Sequence, residues 1–151
     1  MKGERMKVYI ASSWKNCDIC MDIAKTIRQW GHEVDLFCDD STGRFVFHWS
    51  ELDSPENIDA IKMVNSEQGK KAFAEDKKWI DWADVVVMVL PCSKSSHLEG
   101  GYAVGKGKKL YIIGDFPKGD FDVMYGFSDA LIRWSDFETL KELLEKGYIE
   151  F

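Results

Sequence analysis

The chain alternates between two kinds of apolar pattern. Residues 6–11, MKVYIA, are a short run of β-formers, and 33–38, EVDLFC, alternate apolar and polar as a half-buried strand does. Residues 84–90, DVVVMVL, are almost continuously apolar, as expected of a central parallel strand covered on both faces. KLYIIG (109–114) and DALIRW (129–134) predict two more strands. Between them the period lengthens. NCDICMDIAKTIRQWG (16–31) has apolar residues at 19, 20, 23, 24, 27 and 30 and stops at Gly31, which predicts a helix. SPENIDAIKMV predicts a helix with Ser54 as N-cap and Pro55 at its first position. Helices are also predicted over 67–83, over 96–107 and over 135–147, the last with a capping box at Ser135 and Glu138. Residues 39–53 show no period and carry Phe45, Phe47 and Trp49. This order predicts a single α/β domain over 1–151, a three-layer sandwich around a mostly parallel five-stranded sheet of the flavodoxin/Rossmann-like kind.

In such sheets ligands bind in the crevice at the carboxyl ends of the strands. SSWKN, the 39–53 loop and PCSKSSH leave those ends, so a site is expected there.

Composition narrows the possibilities. The 151 residues are 45% hydrophobic and 30% charged, with a formal net charge of −6. A folded globule follows, and a nucleic-acid polymer is an unexpected partner for so acidic a chain. No apolar run approaches a membrane span, and the apolar part of MKGERMKVYI is too short for a signal peptide. The expectation is a cytoplasmic protein whose four cysteines, Cys17, Cys20, Cys38 and Cys92, are reduced thiols. Cys17 and Cys20 form a C-x-x-C near a helix start, which admits a redox reading or simply two small residues one turn apart. No cofactor or metal is called for: the P-loop pattern is absent, Ser-Ser replaces glycine after the first strand, and His97-Leu98-Glu99 lacks the following P-C-x-x-C of zinc deaminases.

Two carboxylates stand out. Asp76 falls on the stripe of Ala72, Phe73, Trp79, Ile80 and Ala83, with Glu75, Lys77 and Lys78 on the wet side. An acid there is costly unless it is paired or faces a cleft; an Asp at the stripe's edge reaching water is the plain alternative. Glu99 follows the polar loop after the central strand. Ser96 and Glu99 fit a capping box, which would make the acid structural. Against that, Gly100 and Gly101 are poor helix residues, which suits a close approach to the backbone. Ser93, Ser95 and Ser96 beside a helix start form a plausible anion cradle. Two carboxyls in one crevice suggest glycosidic chemistry.

The stretch DKKWIDWADVVVMVLPCSKSSHLEGGYAVGKGKKLYII resembles the nucleoside 2-deoxyribosyltransferase family, including its deoxynucleoside 5′-monophosphate N-glycosidase branch. The resemblance rests on Asp76, Ala83-Asp84, Pro91, Glu99, Gly101, Tyr102, Ala103, Gly105 and Lys106, with YIASSWKN and MYGFSDALIRWS in support. It implies that Glu99 is the nucleophile, forming a glycosyl ester at the anomeric carbon, and that Asp76 assists proton transfer. It also implies that Ser12, Ser13, Trp14 and Tyr102 lie near the pocket. Members are usually homodimers or larger, a late segment of one subunit closing the neighbour's site; here that is Met124 to Ser128. Transferases of the family carry Asp six residues before the nucleophile. Ser93 stands there in this chain, as in the monophosphate branch. The implied function is cleavage of the N-glycosidic bond of nucleosides or their 5′-monophosphates in nucleotide salvage. Hydrolysis without base transfer is one alternative, and a non-catalytic nucleotide sensor on the same scaffold is another. Phe45, Phe47 and Trp49 would stack on a base or fill a satellite core.

Overall fold

Strand β1 (Lys7–Ala11) lies between β2 (Glu33–Leu36) and β3 (Val85–Val89), and β4 (Lys109–Gly114) and β5 (Ala130–Arg133) extend the sheet. The order is β2-β1-β3-β4-β5 and every pairing is parallel, with Val8 opposite both Val34 and Val85. These elements come from a computed structural model that describes residues 4–39 and 55–147. The aromatic segment with Phe45, Phe47 and Trp49, and the Ser54 cap, lie outside the described residues.

The continuous apolar run becomes intelligible in β3. Val85, Val87 and Val89 face one side of the sheet, Val86 and Met88 the other, and all five are buried. On the first side they meet Ile23 and Ile27 of helix α1 (Cys17–Gln29) and Leu140 and Leu144 of helix α5 (Glu138–Lys146). On the second they meet Ile80 of α3 (Glu67–Trp82) and Ala103 of α4 (Lys94–Gly105). Each fully buried valine contributes roughly 1.5–3 kcal/mol. A polar residue in β3 would therefore have no wet face to turn to.

Helix termini depart from the sequence expectation at three places. The segment after Ser54 is a 3₁₀ turn at Pro55–Asn57, followed by α2 (Ala60–Asn65), whose N-cap is Asp59 bonding the Lys62 N–H. The Ser135–Glu138 box does not form. Residues Trp134–Asp136 make a 3₁₀ turn, Phe137 becomes the N-cap of α5 without a side-chain bond, and its ring packs against Trp30 and Trp134. Aromatic burial overrides the local cap. The third is at α4, described below. The stop at Gly31 is as expected: its φ of +99° is left-handed, and the chain turns there into β2.

The cysteines also depart from expectation. Cys17 is joined to Cys38 in a disulfide, so the four are not all thiols; Cys20 and Cys92 are free. The two ends of the C-x-x-C therefore differ in fate. Cys17 sits half-buried at the start of α1 beside the end of β2, while Cys20, one turn on, is fully buried. No helix among the described residues is long and apolar enough to cross a membrane.

Candidate active site at the carboxyl edge

The turn after β1 is fastened to the end of β3. Ser12 Oγ donates to the Val89 carbonyl at 2.8 Å, and Asn16 Nδ2 donates both to Ser12 Oγ at 3.0 Å and to the Pro91 carbonyl at 2.8 Å. Asn16 was not singled out in the sequence. It precedes α1 and makes no side-chain cap, because its amide is committed across the crevice. Ser13 Oγ accepts the Lys15 N–H at 3.3 Å and caps the short turn Trp14–Asn16. Trp14 meets Phe37 edge to face at 5.4 Å, forming a wall at the ends of β1 and β2.

Helix α4 begins at Lys94, and its N-cap residue is Ser93. Ser96 is therefore inside the first turn, and the Ser96–Glu99 capping box does not exist. Ser93 makes no side-chain cap bond either. Glu99 is a mid-helix residue, half-buried, one position before Gly100. Ser96 is buried and its hydroxyl bonds the Cys92 thiol. Burial pushes that thiol up to about 11, and the nearby charge of Glu99 pushes the same way. Cys20 is likewise raised to about 11 by burial, with Ser12 as hydrogen-bond partner and Cys92 as an electrostatic neighbour. Ser12, Cys20, Cys92, Ser96 and Glu99 thus form one connected group at the ends of β1 and β3. The two thiols are protonated and poor nucleophiles at neutral pH.

Asp76 arrives from α3, which packs on the same face of the sheet as α4. Both helices run against the strands, so the start of α3 lies at the carboxyl edge. A 16-residue helix is roughly 24 Å long and a five-residue strand roughly 17 Å, so the first turns of α3 overhang the sheet. That explains why Phe73, expected on the buried stripe, is 67% exposed, while Ile80 is buried. Asp76, half-buried, lies between them in the sequence of α3. Glu75 accepts the Trp79 indole N–H at 2.9 Å, and Lys77 pairs with Asp81 at 2.8 Å.

The register between the helices is set by Tyr102, whose hydroxyl donates to Asp81 at 2.6 Å while Lys77 lies 5.7 Å from its ring. Lys77 and Tyr102 hold the Asp81 carboxyl below its ordinary range. Asp76 and Glu99 are each set nearer the carboxyl edge than this seam. Tyr102 itself is turned to α3, away from Ser93. Asp84 has a structural task, accepting the Lys7 N–H at 3.0 Å where β1 and β3 begin.

A groove of about 590 Å³ opens on the other flank of α4, bordered by Cys92, Ser93, His97, Gly101, Met124 and Tyr125. Gly100 and Gly101 divide the labour there. A Cβ on Gly100 would touch the Leu110 methyls at 3.4 Å, so its smallness lets α4 approach the sheet, whereas a Cβ on Gly101 would meet nothing within 4 Å. Met124 belongs to the 3₁₀ turn Val123–Phe127, closed by the Ser128 hydroxyl donating to the Tyr125 carbonyl at 2.7 Å. Ser95 is exposed. A second hollow of about 500 Å³, lined by Arg5, Arg28, His32 and Trp82 among others, lies at the β2 edge, away from this group.

No family model and no curated protein matches the sequence. Solved structures do match in fold. A CMP N-glycosidase from Clostridium botulinum is 18% identical with a TM-score of 0.54, covering 91% of this chain and 97% of its own. A 2-deoxyribosyltransferase from Bacillus psychrosaccharolyticus is 17% identical with a TM-score of 0.59, covering 95% and 99%. A conserved protein from Enterococcus faecalis V583 is 14% identical with a TM-score of 0.65, covering 96% and 100%. At these identities the likeness is one of fold: the chain is built on the α/β scaffold that a CMP N-glycosidase and a 2-deoxyribosyltransferase also use.

Proposed function

We propose that this protein cleaves the N-glycosidic bond of nucleosides or their 5′-monophosphates, with Glu99 as nucleophile. One observation carries the reading: Glu99 is not a helix cap. A half-buried glutamate inside α4, its charge bearing on Cys92 at the sheet's carboxyl edge, is placed for chemistry at the crevice rather than at a helix cap. In the proposed reaction the Glu99 carboxylate attacks the anomeric carbon. The bond to nitrogen breaks, its electron pair leaves with the base, and a proton reaches the base with the help of Asp76. Water or a second base then attacks the same carbon and frees the carboxylate, so configuration is retained. Asn16 and Ser12 hold the crevice wall in place.

Ser93 favours the monophosphate and hydrolysis over base transfer. Its hydroxyl makes no cap bond at the start of a 12-residue helix, where backbone N–H groups and the helix dipole suit an anion. The partner implied is a small nucleoside or nucleotide. A second copy of the chain is proposed to complete the site. Val123, Met124, Phe127 and Leu131 stand exposed, and Met124 and Phe127 border the groove.

The test is incubation with cytidine, deoxycytidine and their 5′-monophosphates, with and without a free acceptor base, followed by chromatography. Released base without acceptor indicates a hydrolase, and exchanged base a transferase. Neither product, with binding intact, leaves the sensor. Glu99→Gln is expected to lower turnover by on the order of 10³-fold or more with an unchanged melting temperature. Full turnover in that variant removes the proposal.

A further inference from the structure

The C-x-x-C of the sequence is not a redox pair in the fold. Cys17 is joined to Cys38, and Cys20 and Cys92 are free. Neither free thiol is suited to exchange with that bond. Burial pushes both up to about 11, so they offer almost no thiolate near neutral pH. Cys20 is also shut in the core. The disulfide therefore has no resolving cysteine in the fold, which sets aside an oxidoreductase. Its own two cysteines are half-buried rather than core residues, within reach of a thiol from outside.

Both ends of the bond adjoin the crevice wall. Cys17 follows Asn16, whose amide holds Ser12 Oγ and the Pro91 carbonyl. Cys38 follows Phe37, which meets the Trp14 ring at 5.4 Å. The Lys15 N–H bond to Ser13 Oγ and the Asn16 N–H bond to the Ser13 carbonyl, at 2.9 Å, are local to the turn and do not reach β2. The disulfide is the covalent tie between this turn and the end of β2.

We propose that the Cys17–Cys38 disulfide is a redox switch on the nucleotide crevice: closed, it fixes the Trp14–Phe37 wall, and opened by a dithiol it frees the wall and weakens nucleotide binding. The proposal rests on the reading of this crevice as the nucleotide site and adds its regulation. One thiolate of the dithiol attacks a sulfur of the bond, and the other sulfur leaves as a thiolate and takes up a proton. The second thiol of the reductant then attacks the mixed disulfide. The dithiol ends as its own disulfide and the protein as two thiols, so two electrons and two protons have passed. Glutathione disulfide or an oxidised dithiol drives the reverse. Ile23 and Ile27 still seat α1 on the sheet after opening, so the change acts on the wall and leaves the fold. A wall that must be ordered on binding costs affinity that a fixed one does not.

The experiment is calorimetric titration of the Glu99→Gln protein with CMP, oxidised and after reduction with a dithiol. Reduction is expected to weaken CMP binding by roughly tenfold. Cys17→Ser with Cys38→Ser should bind as the reduced protein does, with or without reductant, and Cys92→Ser should keep the response. Amide exchange of residues 12–17 should quicken on reduction while that of β3 stays slow, and melting curves check that the reduced protein is folded. In glutathione buffers of rising reduced-to-oxidised ratio a switch opens within the series, whereas a structural staple stays closed. Equal affinity in both forms, a response that persists in the double-serine protein, a bond closed throughout the series, unfolding on reduction, or no CMP binding in either form overturns the proposal. If the wild type cleaves no N-glycoside while redox-dependent CMP binding persists, the catalytic reading falls and this one stands. If it cleaves equally well oxidised and reduced, with equal affinity, the catalytic reading stands and this one falls.

Discussion

Glu99, Cys92 and His32 show how one side chain's surroundings decide what it can do. Cys92 is bonded by Ser96 and faces the Glu99 charge, and its thiol is pushed up to about 11. At pH 8 it is expected to react with an aromatic disulfide reagent much more slowly than a free cysteine does; Glu99→Gln should speed that reaction by relieving the charge. An unchanged rate would mean that Glu99 does not face Cys92. His32 accepts the Met6 N–H at Nδ1, 3.1 Å away, and its Nε2 is buried with no partner among the described residues. Burial lowers its pKa from 6.5, Arg5 adds to that, and Glu145 opposes it. The folded state thus binds fewer protons than the unfolded chain, so stability rises with pH. The loss begins as pH falls below about 6.5 and continues to the lowered folded value. Urea titrations between pH 7.5 and 5 should show that slope in the wild type and a flatter one in His32→Gln. At this scale the sequence exposed the two acids through their position on a stripe and in a polar loop. The bond of Asn16 across the crevice was not legible, because its partners are a serine in the preceding turn and a carbonyl 75 residues away.

Among the elements, α4 carries most of the consequence. Its start two residues earlier than expected moves Ser96 from the cap into the first turn, so Glu99 is not part of a capping box. Its two glycines make separable predictions. Gly101→Ala removes a poor helix residue at an open position, so stability should rise by roughly 0.5–1 kcal/mol while KM rises as the groove narrows. Gly100→Leu should instead destabilise, since its side chain would press on Leu110. Thermal melts with steady-state kinetics separate the two. The link between α1 and β2 is the Cys17–Cys38 disulfide, closing a loop with a sequence separation of 21. Replacing both cysteines by alanine should cost about 3 kcal/mol in denaturant unfolding, and adding a thiol reductant to the wild type should reproduce most of that loss. The strands and the longer helices were legible because burial period and element type coincide. The caps of α2 and α5 were not, because Asp59 and the aromatic packing of Phe137 won over the stronger local motifs.

Over the whole molecule, the sheet gathers segments from distant parts of the chain at one edge, and among the described residues exposed apolar side chains stand on one side of it. Leu131 pairs with Ile112 in the sheet yet is 52% exposed, and the Val123–Phe127 turn stands beside it. If a second copy covers this side, sedimentation should show a dimer that Leu131→Lys with Phe127→Asp converts to monomer, with loss of activity. A wild-type monomer that is fully active would remove that part of the proposal.

The sequence by itself determined the α/β class, the strand and helix order, the crevice in which a site belongs and the two acids worth testing. These follow from local periodicity and from the rule that ties parallel sheets to their carboxyl edges. Tertiary structure alone decided that Glu99 is no cap and that Asp76 is half-buried on α3. It also decided that Cys17 is paired with Cys38 rather than a free thiol, and that His97 faces Tyr125 in a groove. Each of those depends on contacts between residues far apart in the chain or on where a helix turn begins. A side chain's neighbour in space leaves no period in the sequence.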